Sequence, residues 1–129
     1  MLKKSFAVII MLVLLLGVVP VAGAIPPGFQ LLSPSDGAHI PMGETEFMWG
    51  VHEDAEYYAL TIKEAETGEL MAYIAQISPL ACNEYICSQS LTLNFEPMTE
   101  YKWNIKAYWD EGESKEKSEV WYFWLWLWP

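Results

Sequence analysis

Strict alternation of apolar and polar residues dominates the chain from residue 45 onward and is the feature that most constrains its fold. The clearest run covers residues 101–109, where Tyr, Trp, Ile, Ala and Trp occupy every second position and Lys, Asn and Lys stand between the first four. Successive side chains of a β-strand point to opposite faces of a sheet. This period therefore predicts strands with one buried face rather than helices.

The same pattern recurs between turn residues and predicts an all-β domain. Runs of this kind occupy residues 45–51, 56–64, 70–77 and 90–95. Gly68 lies between two of them and can take the positive φ that a short hairpin needs. Residues 110–119 are polar and charged, which predicts a loop, and the last strand is expected to start near Val120. Six or seven strands in about 100 residues predict an antiparallel two-sheet β-sandwich.

Residues 25–43 carry four prolines and three glycines. This composition predicts only short edge strands there, such as residues 30–32, because proline cannot donate to a sheet. His52 is followed by two acidic residues between two predicted strands, which indicates a solvated turn. No helical period and no internal repeat occurs along the chain.

Residues 1–24 have the layout of a secretory signal peptide. Lys3 and Lys4 precede an unbroken apolar run over residues 6–19, and small side chains follow at residues 22–24. An uncleaved membrane anchor is the alternative, because the apolar run approaches the ~20 residues that span a bilayer. Residues 25–129 are then expected to form one secreted or cell-surface domain.

The predicted domain is strongly acidic. Residues 25–129 include five lysines, no arginine and 17 Asp plus Glu, and hence carry a formal charge of −12. Such a surface repels phosphate backbones, so a nucleic-acid partner is not expected. Acidity of this kind is ordinary for a soluble exported protein.

Cys82 and Cys87 are the only cysteines, and in an exported chain a close pair predicts a disulfide. A zinc site would need two further ligands, and the two histidines have no ligand-like spacing to the cysteines. Nucleophile, metalloprotease and phosphate-binding motifs are also missing from the sequence. We therefore expect neither a cofactor, nor a metal, nor an enzyme.

Residues 95–118 resemble the end of a fibronectin type III domain. That family commonly shows a large apolar residue, then Pro, Thr and Tyr at every second position, then an aromatic residue, Ile or Val, and Ala with the same spacing. In this chain the corresponding residues are Phe95, Pro97, Thr99, Tyr101, Trp103, Ile105 and Ala107. Trp49 resembles the tryptophan on the second strand of such domains, and the opening LLSPSDGAHI resembles the start of exported members, in which a Pro-x-Asp-Gly turn precedes a short strand. The resemblance implies an immunoglobulin-like sandwich in which Tyr101 forms a tyrosine corner. It also implies a binding module or spacer, without naming a ligand.

The C-terminal stretch WYFWLWLWP is apolar on both faces of a strand. One face has Tyr122, Trp124, Trp126 and Trp128, and the other has Trp121, Phe123, Leu125 and Leu127. In the type III arrangement this strand would lie at a sheet edge, where an apolar strand promotes aggregation unless it is covered. Residues 26–32, a partner or second copy, or a membrane interface are candidate covers, and exposed rings could also stack on sugars.

These expectations together predict a non-enzymatic binding or adhesion module outside the cell. We expect it to engage a protein partner, or a second copy, through Trp124, Trp126 and Trp128. The alternatives are a structural spacer, a membrane-peripheral domain and a carbohydrate-binding module.

Overall fold

Nine β-strands and one 3-10 turn account for most of residues 29–127, the part of the chain that the computed structural model describes. The strands are β1 Leu31–Ser33, β2 Ala38–Pro41, β3 Gly43–Gly50, β4 Tyr57–Glu64, β5 Leu70–Ile77, β6 Ile86–Leu93, β7 Thr99–Trp109, β8 Ser114–Lys117 and β9 Trp121–Trp126. The 3-10 turn is Pro79–Ala81. Within residues 29–127 no helix is long and apolar enough to cross a membrane. The predicted signal peptide lies outside these residues.

The strands form two sheets, and the predicted sandwich is confirmed. The smaller sheet has the order β1-β3-β6, and the larger has the order β2-β9-β7-β4-β5, with β8 also paired to β7. All pairs are antiparallel except β2 with β9, which is parallel. The strand number exceeds the predicted six or seven because β1, β2 and β8 are only three or four residues long.

The core lies between the sheets and is built from the alternating apolar positions. Phe47 of the smaller sheet meets Trp103 of the larger edge-on, with ring centroids 5.0 Å apart. Trp49 meets Tyr58 in the same way at 5.5 Å. Each of these side chains is at most 1% exposed. Burial of one large apolar side chain contributes about 1.5–3 kcal/mol, so these contacts hold the two sheets together.

The composition of residues 110–119 predicts a loop, but the structure contains a strand within this segment. Ser114–Lys117 forms β8, which pairs with Lys106–Trp109 of β7. The prediction was wrong here because β8 has no apolar residue. Two of its side chains point away from the core, and Glu116 contacts His52 in a loop at the end of the sandwich. An edge strand of this kind carries no alternation to detect.

The prediction that the last strand lies at a sheet edge was also wrong. β9 is an interior strand, paired with β7 on one side and with β2 on the other. Residues 38–41 cover this edge of β9. Of the expected cover, Leu31 belongs to β1 and pairs with β3 in the other sheet, and residues 26–28 lie outside the described residues. The Asp36–Gly37 turn leads into β2, and Gly37 has a φ of +86°, a conformation that other residues rarely adopt.

Local features fix the connections between the sheets. The Tyr101 hydroxyl donates a hydrogen bond to the Glu96 carbonyl at 2.7 Å while its ring is buried, which is the geometry of a tyrosine corner. Cys82 and Cys87 form the predicted disulfide. The loop it closes is short, so the chain-entropy estimate of its stabilisation is about 2 kcal/mol. Gly68 has the expected positive φ, at +80°.

A candidate binding face on the last strand

The two faces of β9 have different environments. Phe123 and Leu125 are fully buried against the core, while Trp124 and Trp126 are 39% and 37% exposed on the outer face. Tyr122 lies on the same outer face and is half-buried. Trp128, the third predicted binding residue, lies outside the described residues. The structure therefore places two of the three predicted tryptophans side by side on an open sheet surface.

Exposed apolar side chains concentrate at this end of β9. Within residues 29–127, nine large hydrophobic side chains are exposed, and four of them belong to this region: Met98, Trp124, Trp126 and Leu127. The Trp126 ring is tilted against His39 of β2, with centroids 5.2 Å apart. We call Trp124, Trp126 and Met98 the aromatic patch. This cluster makes the outer face of β9 the candidate binding face.

Backbone hydrogen bonds hold the strand that carries the patch. The Gly37 N–H donates to the Tyr122 carbonyl at 2.7 Å, and the Met42 N–H donates to the Trp126 carbonyl at 3.0 Å. The Asp36 carboxylate accepts from the Tyr122 N–H at 2.9 Å. These bonds close β2 onto β9 at both ends. Sequence reasoning missed them because β2 is short and contains a proline.

A cleft of about 550 Å³ opens beside Trp124. Its lining residues are Glu64, Ala65, Glu66, Met98, Thr99, Glu100, Tyr122 and Trp124. Met98 lines this cleft together with Trp124 and has a φ of +57°, which is uncommon for a residue with a side chain. Three carboxylates thus border the aromatic patch on this side. The arrangement is an apolar centre with a charged rim, which is the usual anatomy of a protein interface.

A second cleft, of about 530 Å³, lies at the other end of β7. Its lining residues are Phe29, Val51, His52, Glu53, Asp54, Trp109 and Glu116. His52 stacks on Trp109, with centroids 4.7 Å apart, and its Nε2 lies 2.9 Å from a Glu116 carboxylate oxygen. The expected solvated turn is therefore wrong for His52, whose side chain is 10% exposed. The misreading arose because both of these partners are distant from His52 in the sequence.

The chemistry of the second cleft is limited. Its lining has acids, a histidine and aromatic rings, but among these residues there is no hydroxyl or thiol nucleophile. Within residues 29–127, no group of three or more His, Cys, Asp or Glu side chains is placed to hold a metal ion. His52 here ties the loop before β4 to β8 and to β7, which is a structural role.

Two buried tyrosines have perturbed ionisation. Burial raises the pKa of Tyr58, although the His52 N–H that donates to its hydroxyl at 2.9 Å opposes the rise. Burial also raises the pKa of Tyr101. Both phenols belong to the core and stay neutral at physiological pH, so neither serves as an acid or base at the aromatic patch.

Comparisons with known proteins give the fold. Neither the protein-family models nor the curated proteins include a match to the chain. Among solved structures, CopC from Methylosinus trichosporium OB3b is similar with a TM-score of 0.51 and 16% identity, over 77% of this chain and 94% of that one.

Two further structures were compared. Fibronectin(III)-like modules of CbhA from Clostridium thermocellum give a TM-score of 0.49 and 13% identity, over 75% of this chain and 93% of that one. The first immunoglobulin domain of the RIG-5 homodimer gives 0.40 and 11%, over 78% and 98%. At such identities a likeness concerns architecture only. The two-sheet strand order described above and the tyrosine corner at Tyr101 are those of a fibronectin type III/immunoglobulin-like β-sandwich.

Proposed function

We propose that this chain is an exported, non-enzymatic binding or adhesion module that engages a protein partner through the outer face of β9. The observation that carries the proposal is the exposure of Trp124 and Trp126, at 39% and 37%, on a strand whose inner face and both edges are already occupied. Tryptophan is enriched at the energetic centres of protein interfaces. The predicted disulfide, which is present, supports a compartment outside the reducing cytosol.

The mode of engagement follows from the sheet order. Because β2 occupies the free edge of β9, a partner cannot add a strand to β9 itself without displacing β2. Contact must therefore use side chains that project from the face. The aromatic patch supplies the apolar centre, and Glu64, Glu66 and Glu100 supply part of a polar rim. This combination suits another protein surface better than a lipid bilayer, because inserting Trp124 would bring the carboxylates beside it against the negative surface potential of anionic lipids, which repels them.

The experiment compares three forms of the secreted chain as binding partners for surface proteins from the cells that produce it. The first is the wild type, and the second carries Trp124→Ser and Trp126→Ser. The third carries Leu80→Ser and Tyr85→Ser, which removes exposed apolar side chains elsewhere on the domain. We expect the wild type and the third form to retain the same protein, and the second form to lose it at least tenfold.

Each other result identifies another function. Equal retention by all three forms contradicts the proposal. Flotation of the wild type with vesicles, lost in the tryptophan variant, indicates a membrane-peripheral domain. Retention on an array of polysaccharides with the same dependence indicates a carbohydrate-binding module. Intact mass of the released chain tests export, and a mature protein that begins at Ile25 is the expected result.

A further inference from the structure

All five lysines of residues 25–129 lie on the outer face of the larger sheet. Lys63 is on β4, Lys102 and Lys106 are on β7, and Lys115 and Lys117 are on β8. Lys102 stands directly opposite Lys63, and Lys106 stands directly opposite Lys117. The residues that alternate with them on β7 are buried, so these lysines project away from the core. We call this surface the lysine face.

This grouping does not neutralise the chain's own acids. Like charges directly opposite each other destabilise a sheet, and here two such pairs occur in a protein with 17 carboxylates. Within residues 29–127, the one contact within 4.0 Å between a basic and an acidic side chain joins His52 to Glu116, and it includes no lysine. Lysines placed for stability would stand opposite the carboxylates. Four of the five instead stand opposite one another in pairs.

The lysine face is continuous with the aromatic patch. Tyr122 is directly opposite Lys102, and Trp124 is the next residue along the same side of β9. From there the lysines form two groups. The first group is Lys63 and Lys102, and the second is Lys106 and Lys117, with Lys115 beside them. At the usual rise of a strand, Lys102 and Lys106 are about 13 Å apart along β7. Asn104, Thr61 and the exposed Tyr73 lie between.

We propose that the lysine face is the second half of the binding surface, and that the partner is a protein presenting carboxylates to it beside an apolar patch. This inference rests on the proposed function and specifies the partner's chemistry. The rest of the domain is strongly negative, so an acidic partner is repelled from every approach except this face, which fixes its orientation. A protein patch of limited size fits better than an anionic bilayer, whose extended plane would also meet the carboxylates around Trp124.

The test uses a fully acidic probe. The ¹⁵N-labelled chain is titrated with a peptide of eight glutamates, with a matched peptide of eight glutamines, and with vesicles containing phosphatidylglycerol. We expect the glutamate peptide alone to shift the signals of Lys63, Lys102, Lys106 and Lys117. Its dissociation constant should rise severalfold between 0.01 M and 0.1 M salt, as the screening length falls from about 30 Å to about 10 Å.

Variants assign the binding to this face. The variant Lys102→Glu with Lys106→Glu should bind the glutamate peptide at least tenfold more weakly than the wild type. It should still fold, because each change replaces a like-charge pair by an opposite-charge pair. Glu44→Gln with Glu46→Gln, on the smaller sheet, should not weaken it. Equal shifts with glutamine peptide, no shifts at the lysines, or preferential binding to vesicles would overturn the inference.

The two proposals fail separately. The peptide contacts only lysines, so the Trp124→Ser and Trp126→Ser variant should bind it as the wild type does. If the wild type does not bind the glutamate peptide, the inference about the partner's charge is refuted and the proposed function is not. Unchanged retention of the protein partner by the tryptophan variant refutes the proposed function alone.

Discussion

Ser118 joins the two strands that share one edge of β7, and its hydroxyl is the most informative single group to remove. It is 8% exposed and lies between β8 and β9. Its Oγ accepts a hydrogen bond from the Ile105 N–H at 2.9 Å and donates one to the Glu119 carbonyl at 2.7 Å. The Ser118 N–H also donates to the Ile105 carbonyl at 2.8 Å. Ser118 thus pairs with the backbone N–H and carbonyl of Ile105 on β7, at a position that neither β8 nor β9 reaches.

The expected cost of Ser118→Ala follows from what is left behind. The Ile105 N–H would be buried without an acceptor, which costs about 1–3 kcal/mol. The Glu119 carbonyl lies on an exposed residue, so water replaces its lost donor at little cost. We therefore expect the free energy of unfolding to fall by about 2 kcal/mol. In a domain of this size that lowers Tm by about 10 °C.

Urea unfolding followed by tryptophan fluorescence measures this change. The matched control is Ser90→Ala, at an exposed position of β6. We expect the control to change the free energy of unfolding by less than about 0.5 kcal/mol. Faster amide exchange of Ile105 in the Ser118 variant, with exchange unchanged at the far end of β7, would locate the effect. A variant as stable as the control, with Ile105 still protected, would refute the bridging role of this hydroxyl.

Four other outcomes are expected. Tyr101→Phe should lose about 1 kcal/mol in urea unfolding, because the Glu96 carbonyl loses its donor. Gly37→Ala should also lose about 1 kcal/mol, since its positive φ strains any side chain although no atom blocks a Cβ. Trp124→Ser with Trp126→Ser should keep Tm within a few degrees, because both side chains are already partly exposed. Burial raises the pKa of Tyr58 and of Tyr101 above the value in the unfolded chain. The stability that their neutral forms contribute is therefore complete below pH about 10 and should be lost as the pH rises further. Urea unfolding midpoints measured from pH 8 to pH 11 test this.

The long strands could be predicted because burial on one face imposes alternation. Residues 101–109 illustrate this, since Tyr101, Trp103, Ile105 and Ala107 are all buried. The strand β8 and the pairing of β2 could not be predicted, because both depend on neighbours distant in the chain rather than on the composition of these short segments. Ala38 near the start of the domain, for example, pairs with Phe123 near its end. The edge position of β9 was an implication of the type III resemblance, and it was wrong because β2 pairs with β9.

The candidate site was predictable only in part. Alternation along WYFWLW separates Trp124 and Trp126 from the core residues on the same strand, and their exposure agrees with that separation. The lysine face was not predictable, because each lysine looks like an ordinary solvent-facing residue within its own run. Only the register between β4, β7 and β8 brings Lys63 beside Lys102 and Lys106 beside Lys117.

Hydroxyl-radical footprinting of the chain, alone and bound to the protein retained from the cell surface, tests the outer face of β9 most directly. We expect oxidation of Trp124 and Trp126 to fall severalfold in the complex, while Leu80 and Tyr85, which are 93% and 72% exposed, stay as reactive as before. Unchanged oxidation of both tryptophans, with protection at Leu80 or Tyr85 instead, would place the binding surface elsewhere and contradict the proposed function.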